Sequence, residues 1–272
     1  MVSFSGNVRK MRTENKEVVQ YTFPIGKELL AMNPLIGQRL QLTFSGEINC
    51  INCGRKTNKS FQQGYCFPCM RSLPETDQCI VRPETCHFHL GTCRDSAWGV
   101  KNCMQDHYLY FANSSGLKVG ITRGSQIPTR WMDQGATEAL AVLRAPSRYK
   151  VGQLEVLFKK HLNDRTDWRK MLKGIAEPID LKARRDEVLA QLEAELEAAQ
   201  DKLGWEFLHE GELQSFSYPV NHYPEKVTSL NLDKAPIFTG ELQGIKGQYL
   251  IFDVGVINIR KYTGYNLTIE TA

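Results

Sequence analysis

Eight cysteines fall between Cys50 and Cys103, and the chain has no others. The first four form two CxxC pairs, Cys50-x2-Cys53 and, twelve residues later, Cys66-x2-Cys69. A CxxC turn presents two thiolates from one tight knuckle, and two knuckles complete a tetrahedron around zinc. Gly54 and Gly64 flank the knuckles, where the backbone must turn sharply. The second four, Cys79, Cys86, Cys93 and Cys103, are less evenly spaced, with His87, His89 and His107 close by. Four thiolates, or three and one histidine, would close a second site there. The expectation is two structural zinc ions.

The alternative, a disulfide scaffold, belongs to short exported chains. The start of this one, MVSFSGNVRKMRTENKE, is polar and charged, and no run approaches the ~18 apolar residues of a membrane span. A cytoplasmic protein with no membrane partner is expected. A chain of 272 residues, 42% hydrophobic and 24% charged, suits a soluble fold with one large or two small cores. A net charge of +4 does not by itself demand a polyanion.

The expected fold class is α+β. Residues 1–49 and 205–272 are β-rich and share an echo: Phe4-Ser5-Gly6, Phe44-Ser45-Gly46 and Phe238-Thr239-Gly240. One β-barrel or sandwich built from both terminal segments would explain it, with the zinc-binding module (50–106) and an α/β domain (107–175) inserted. Thr166 is the expected N-cap of a short helix over 167–173. A long helix is expected over 176–204, capped by Asp180, striped by Leu189, Leu192, Leu196, Ala199 and Leu203, and ended by Gly204.

Two regions point to nucleic acid. From Asn49 to Pro74 there is no acidic residue, while Arg55, Lys56, Lys59 and Arg71 interleave with Phe61, Tyr65 and Phe67. Cations pair with phosphates and aromatic rings stack on bases; a solvated face around a structural zinc reads the same way. Further on, Gly244-Ile245-Lys246-Gly247 is a GxxG turn with strand-like flanks. Its glycines read as turn formers, with Lys246 at the tip.

The other region is the stretch HYLYFANSSGLKVGITR. His107–Ala112 and Leu117–Thr122 read as strands joined by Asn113-Ser114-Ser115-Gly116, a hairpin. A loop-helix segment with Arg130 follows, then a helix bearing Glu155 among Lys150, Lys159 and Lys160. This order resembles the GIY-YIG nuclease superfamily over roughly residues 107–165, with Tyr108-Leu109-Tyr110 at its first motif and Lys118-Val119-Gly120 at its second. The resemblance implies that Tyr110 helps activate water, that Arg130 stabilises the phosphorane charge, and that Glu155 holds one Mg²⁺. Tyr108, Lys118, Gly120 and Arg123 would line the phosphate. Lys118 stands where the superfamily has its second tyrosine; an ordinary lysine is protonated at neutral pH and a poor base. Over nearly its whole length the chain also resembles an uncharacterised bacterial family of unknown function.

Three functions follow: a zinc protein that binds DNA or RNA and cleaves it with a metal; a non-catalytic binder of RNA or a ribonucleoprotein; or a zinc-stabilised interaction module whose 181–203 helix docks a partner.

Overall fold

The computed structural model describes residues 3–271 apart from 175 and 210, so the boundary expected at 175 lies outside the described residues. Its strands in the first half are β1 (Ser3–Asn7), β2 (Arg12–Glu14), β3 (Gln20–Ile25), β4 (Glu28–Ala31), β5 (Arg39–Ile48), β6 (His107–Asn113) and β7 (Leu117–Arg123). Then come β8 (Glu138–Ala145), β9 (Glu206–Phe207), β10 (Gln214–Ser215), β11 (Ile237–Lys246), β12 (Tyr249–Phe252), β13 (Gly255–Asn258) and β14 (Tyr265–Thr271). The helices are α1 (Phe67–Ser72), α2 (Ser96–Asn102), α3 (Thr129–Asp133), α4 (Arg148–Phe158), α5 (Trp168–Met171), α6 (Leu181–Gln191) and α7 (Glu193–Leu203). Among the described residues no helix is long and apolar enough to cross a membrane.

The chain forms two units. The first comprises Met1–Arg71, Leu172–Gly174 and Phe216–Ala272; the second comprises Ser72–Met171 and Ile175–Ser215. The stretch 50–106, expected as one zinc module, is thus divided: the CxxC pairs lie in the first unit and the other four cysteines in the second.

In the first unit both terminal segments share one antiparallel sheet, ordered β1-β14-β5-β11-β12-β13. The echoed segments meet there, with Phe4 opposite Ile269, Phe44 opposite Leu267 and Phe238 opposite Leu42. Period-two burial drives it: Leu40 and Leu42 of β5 and Leu267 and Ile269 of β14 face inward. The expected barrel does not close. Closure requires the end strands to pair with each other, but β1 and β13 remain at opposite ends of the sheet, and β1 is exposed or half-buried throughout. A separate three-stranded sheet, β2-β3-β4, supplies buried Tyr21, Phe23 and Ile25. Lys246 also departs from expectation. Gly247 makes the turn at φ +60°, but the lysine points inward, fully buried, donating to the Gly174 carbonyl at 2.9 Å between the Tyr218 and Tyr223 rings.

In the second unit β6 is central, with β7 on one side and β8 on the other, and β9 and β10 extend β8. Leu109, Phe111 and Val119 face a core with Val151, Leu154 and Phe158 of α4 and with Leu181, Val188, Leu196 and Leu203. The apolar stripe of 181–203 packs within its own unit, with Leu189 and Ala199 only partly covered. The long helix expected there is broken: α6 ends at Gln191, the backbone of Leu192 leaves the helical region (ψ +5°), and α7 starts at Glu193. Asp180 caps α6 through the Lys182 and Ala183 amides, and Gly204 ends α7 at φ +57°. For the helix after 166, Asp167 rather than Thr166 receives the amides, from Arg169 and Lys170; the Thr166 hydroxyl is buried without a partner.

Candidate functional site

In the first unit, the sulfurs of Cys50, Cys53, Cys66 and Cys69 all lie within 4.8 Å of one another. Tetrahedral zinc with arms of ~2.3 Å needs sulfur-sulfur edges of roughly 3.8 Å; Cys53 and Cys66 are already 3.7 Å apart. The knuckles prepare the anions. Burial opposes ionisation of Cys50, yet the backbone amides of Cys53, Cys66 and Asn52 outweigh it and bring the thiol down to about 6. Gly54 turns at φ +73°, and Gly64, at φ +135°, packs so closely on Ile51 that a Cβ would sit 2.7 Å from its Cδ1. The donor set and its spacing fit zinc. Backbone bonds from Asn49 to Gly264 (2.8 Å) and a Ser60 bond to the Thr263 carbonyl (2.9 Å) tie the ribbon to the sheet.

The four basic residues expected to grip nucleic acid on this ribbon divide. Arg55 stands beside the cysteine cluster, where the Cys53 thiol raises its guanidinium pKa. Lys56 pairs with Glu47 at 2.6 Å, a surface pair weak enough to exchange for phosphate. Lys59 lies over the Phe61 ring at 5.3 Å, and Phe61 meets the exposed Phe67 edge-on at 5.6 Å. Arg71 is exposed in the last turn of α1.

In the second unit the hairpin pairs Tyr110 directly with Gly120, and Ala112 with Lys118, so Tyr110 and Lys118 share a face. Three side chains join in one hydrogen-bonded network, and Arg130 stands near enough for its charge to act on Tyr110 and Lys118. The Tyr110 hydroxyl donates to Gln134 Oε1 at 2.8 Å, and Lys118 Nζ donates to the same oxygen at 2.5 Å. Glu155 lies close enough to influence the charge of both Tyr110 and Lys118. Tyr110 is 1% exposed, Lys118 3% and Glu155 7%, whereas Arg130 and Gln134 are half-exposed and form the open side.

Burial sets the electrostatics. Desolvation, then the Arg130 charge, push the Lys118 ammonium down to about 7, so it is not the ordinary protonated lysine its sequence position suggests. Desolvation also raises Glu155, with Lys159 opposing it at 3.1 Å. Lys159 also bridges to Asp164 at 3.2 Å.

Of the other expected phosphate ligands, Tyr108 lies against Gly124. Arg123 turns toward α2 and donates to Asn102 at 2.6 Å. Sequence reading missed Gln134, although its i,i+4 spacing from Arg130 places both on one helix face.

Gly120 tests the packing. A Cβ there would sit 2.6 Å from the Tyr110 hydroxyl oxygen. Gly120→Ala is expected to displace the ring from Gln134 and destabilise the unit by about 1–3 kcal/mol, read as a lower denaturant midpoint.

A family profile described as "Protein of unknown function (DUF2797)" matches residues 37–267. No curated protein and no solved structure matches the chain.

Proposed function

The chain belongs to the DUF2797 family, and from that premise we propose that it is a zinc-containing nucleic-acid-binding protein whose hairpin domain grips a phosphodiester and hydrolyses it. The observation that carries this reading is the Tyr110-Gln134-Lys118 network, with Arg130 on its open side and Glu155 beside it. The likeness to the GIY-YIG order of motifs adds to it.

Arg130 offers a planar fork of donors suited to phosphate oxygens. Gln134 holds Tyr110 and Lys118 in register on one oxygen, beside that fork. Because burial brings Lys118 near neutrality, it can take a proton at neutral pH, the task the superfamily's second tyrosine would otherwise share. In hydrolysis a water oxygen bonds to phosphorus and the bond to the leaving sugar oxygen breaks. The water proton passes to the neutral Lys118 amine, and the leaving oxygen is protonated from solvent. Glu155, with Asp164 behind Lys159, is a one- or two-carboxylate oxygen set of the kind Mg²⁺ uses with substrate phosphate. An ion there would supply positive charge to the leaving oxygen.

The Glu155–Lys159 pair favours a second reading, in which the site grips RNA without turnover. The two are separated by incubating a panel of DNA and RNA substrates with and without Mg²⁺. Metal-dependent cleavage lost in Glu155→Ala supports the enzyme; binding without cleavage supports the grip. Under either, Arg130→Ala should weaken binding roughly 10–100-fold, the worth of a charged hydrogen bond. Affinity should fall steeply with salt through counterion release. Undetectable binding of every polynucleotide at low salt would leave the interaction module as the surviving reading. In this proposal zinc occupies two thiolate sites, one in each unit.

A further inference from the structure

Residues 72–106 contain no strand: they run through 3-10 turns at Pro74–Thr76, Gln78–Ile80, Pro83–Thr85 and Phe88–Leu90 into the two-turn helix α2. Such a segment lacks an apolar core of its own and needs a staple. Its four cysteines face one another across a single cavity, though their sulfurs do not all lie within 4.8 Å as the first four do. Cys79, Cys86, Cys93 and Cys103 all line one small cavity of about 10 Å³, room for a single water-sized sphere. Cys79, Cys86 and Cys103 are buried. Gly99 lets α2 close over the site, for a Cβ there would lie 2.9 Å from the Phe88 ring and 3.3 Å from the Cys93 sulfur.

His89 packs on Tyr149 and His107 bonds the Gln105 carbonyl, away from the thiols. His87, held by Thr92 at 2.8 Å, has a ring nitrogen within 4.8 Å of the Cys79 sulfur and of Asp77. Asp77 is close to Cys79 and His87, but it is ion-paired with Arg94 at 2.8 Å.

Arg148, at the start of α4, supplies the second observation. Its Nη2 donates to the Ile80 carbonyl at 2.5 Å and its backbone amide to the Cys103 carbonyl at 2.8 Å. Its Nε is sealed from solvent with no hydrogen-bond partner. Burial lowers its pKa, and its guanidinium stands near the thiols of Cys103 and Cys79. A half-buried guanidinium at this place suits an anionic group beside it. A metal tetrathiolate carries net charge −2.

We propose that Cys79, Cys86, Cys93 and Cys103 bind one zinc-class ion, and that Arg148 balances its charge and so couples the metal to α4. Gly152 strengthens the coupling: a Cβ there would lie 2.5 Å from Pro83 Cβ, and Gln153 donates to the Glu84 carbonyl at 3.1 Å. The bound metal therefore seats the helix that carries Glu155.

This inference rests on the thiol geometry, and its readout is metal content, so its failure leaves the phosphate reading intact. The full chain, reduced and stripped of metal, is titrated with Co²⁺, whose thiolate charge-transfer band reports each site. Two equivalents are expected, falling to one in both Cys86→Ser and Cys53→Ser. Saturation of the parent at one equivalent, or two retained in Cys86→Ser, overturns the site. Arg148→Gln, which keeps every ligand, should release one of the two zinc ions to a chelator about 10-fold faster or more; unchanged release overturns the role of Arg148.

Discussion

Cys66→Ser is expected to strip the first unit of its metal and unfold the ribbon between Cys50 and Ser72, while the sheet beneath it survives. The buried residues of that ribbon include its own ligands Cys50, Cys66 and Cys69, so little apolar burial remains once the metal leaves. Zinc binding to thiolate knuckles contributes on the order of 10–16 kcal/mol at neutral pH, about the whole stability of an ordinary domain. The sheet stands on different residues: Leu40, Leu42, Leu242, Leu267 and Ile269 are buried without reference to the cysteines. Limited proteolysis should cut the variant within 50–72 and leave β5, β11 and β14 protected. Chelation of the parent should reproduce the pattern and zinc should reverse it. A variant that keeps its full complement of metal and resists cleavage would show that three thiols suffice and that the ribbon folds on other contacts.

The hairpin was legible because its determinants are local: a turn of small polar residues and two β-rich runs fix the register that sets Tyr110 opposite Gly120. The joining of both termini in one sheet was legible from the aromatic-Ser/Thr-Gly echo. The openness of that sheet was not, since closure depends on how far the edge strands stand apart. The break at Leu192 left no trace either. Its 3–4 stripe runs unbroken and no glycine or proline interrupts it, and the buried leucine itself sits at the bend. Asp167 and Thr166 offer the same capping chemistry one residue apart, and only the path of the loop chooses. Lys118 was read as an ordinary protonated lysine and Lys246 as the tip of a turn because burial is a tertiary property. Lys118 is covered by Gln134 and by the chain at Asn163, and Lys246 by the rings of Tyr218 and Tyr223.

Lys118 yields the sharpest functional expectation. Its folded pKa is about 7 against an ordinary 10.5, so the folded state holds fewer protons than the unfolded one between those values. Stability contributed at this position therefore rises with pH across that window, and the cost of the buried charge is fully present below pH 7. Lys118→Met removes the ionisable group and keeps most of the volume. The variant should be more stable than the parent at pH 6 by at least about 1 kcal/mol, a rise of ~2–4 °C in Tm, and the advantage should shrink toward pH 10. Gln134 Oε1 keeps its bond from Tyr110, so the network does not collapse. Phosphate binding should nonetheless fall by about 10-fold or more, and any metal-dependent cleavage should be lost together with the limb of its pH profile near 7. A residue that weakens the fold while strengthening its site is kept for what it does. A Lys118→Met chain less stable than the parent at every pH would mark the lysine as a structural strut. The same variant with undiminished cleavage would move proton transfer to another group.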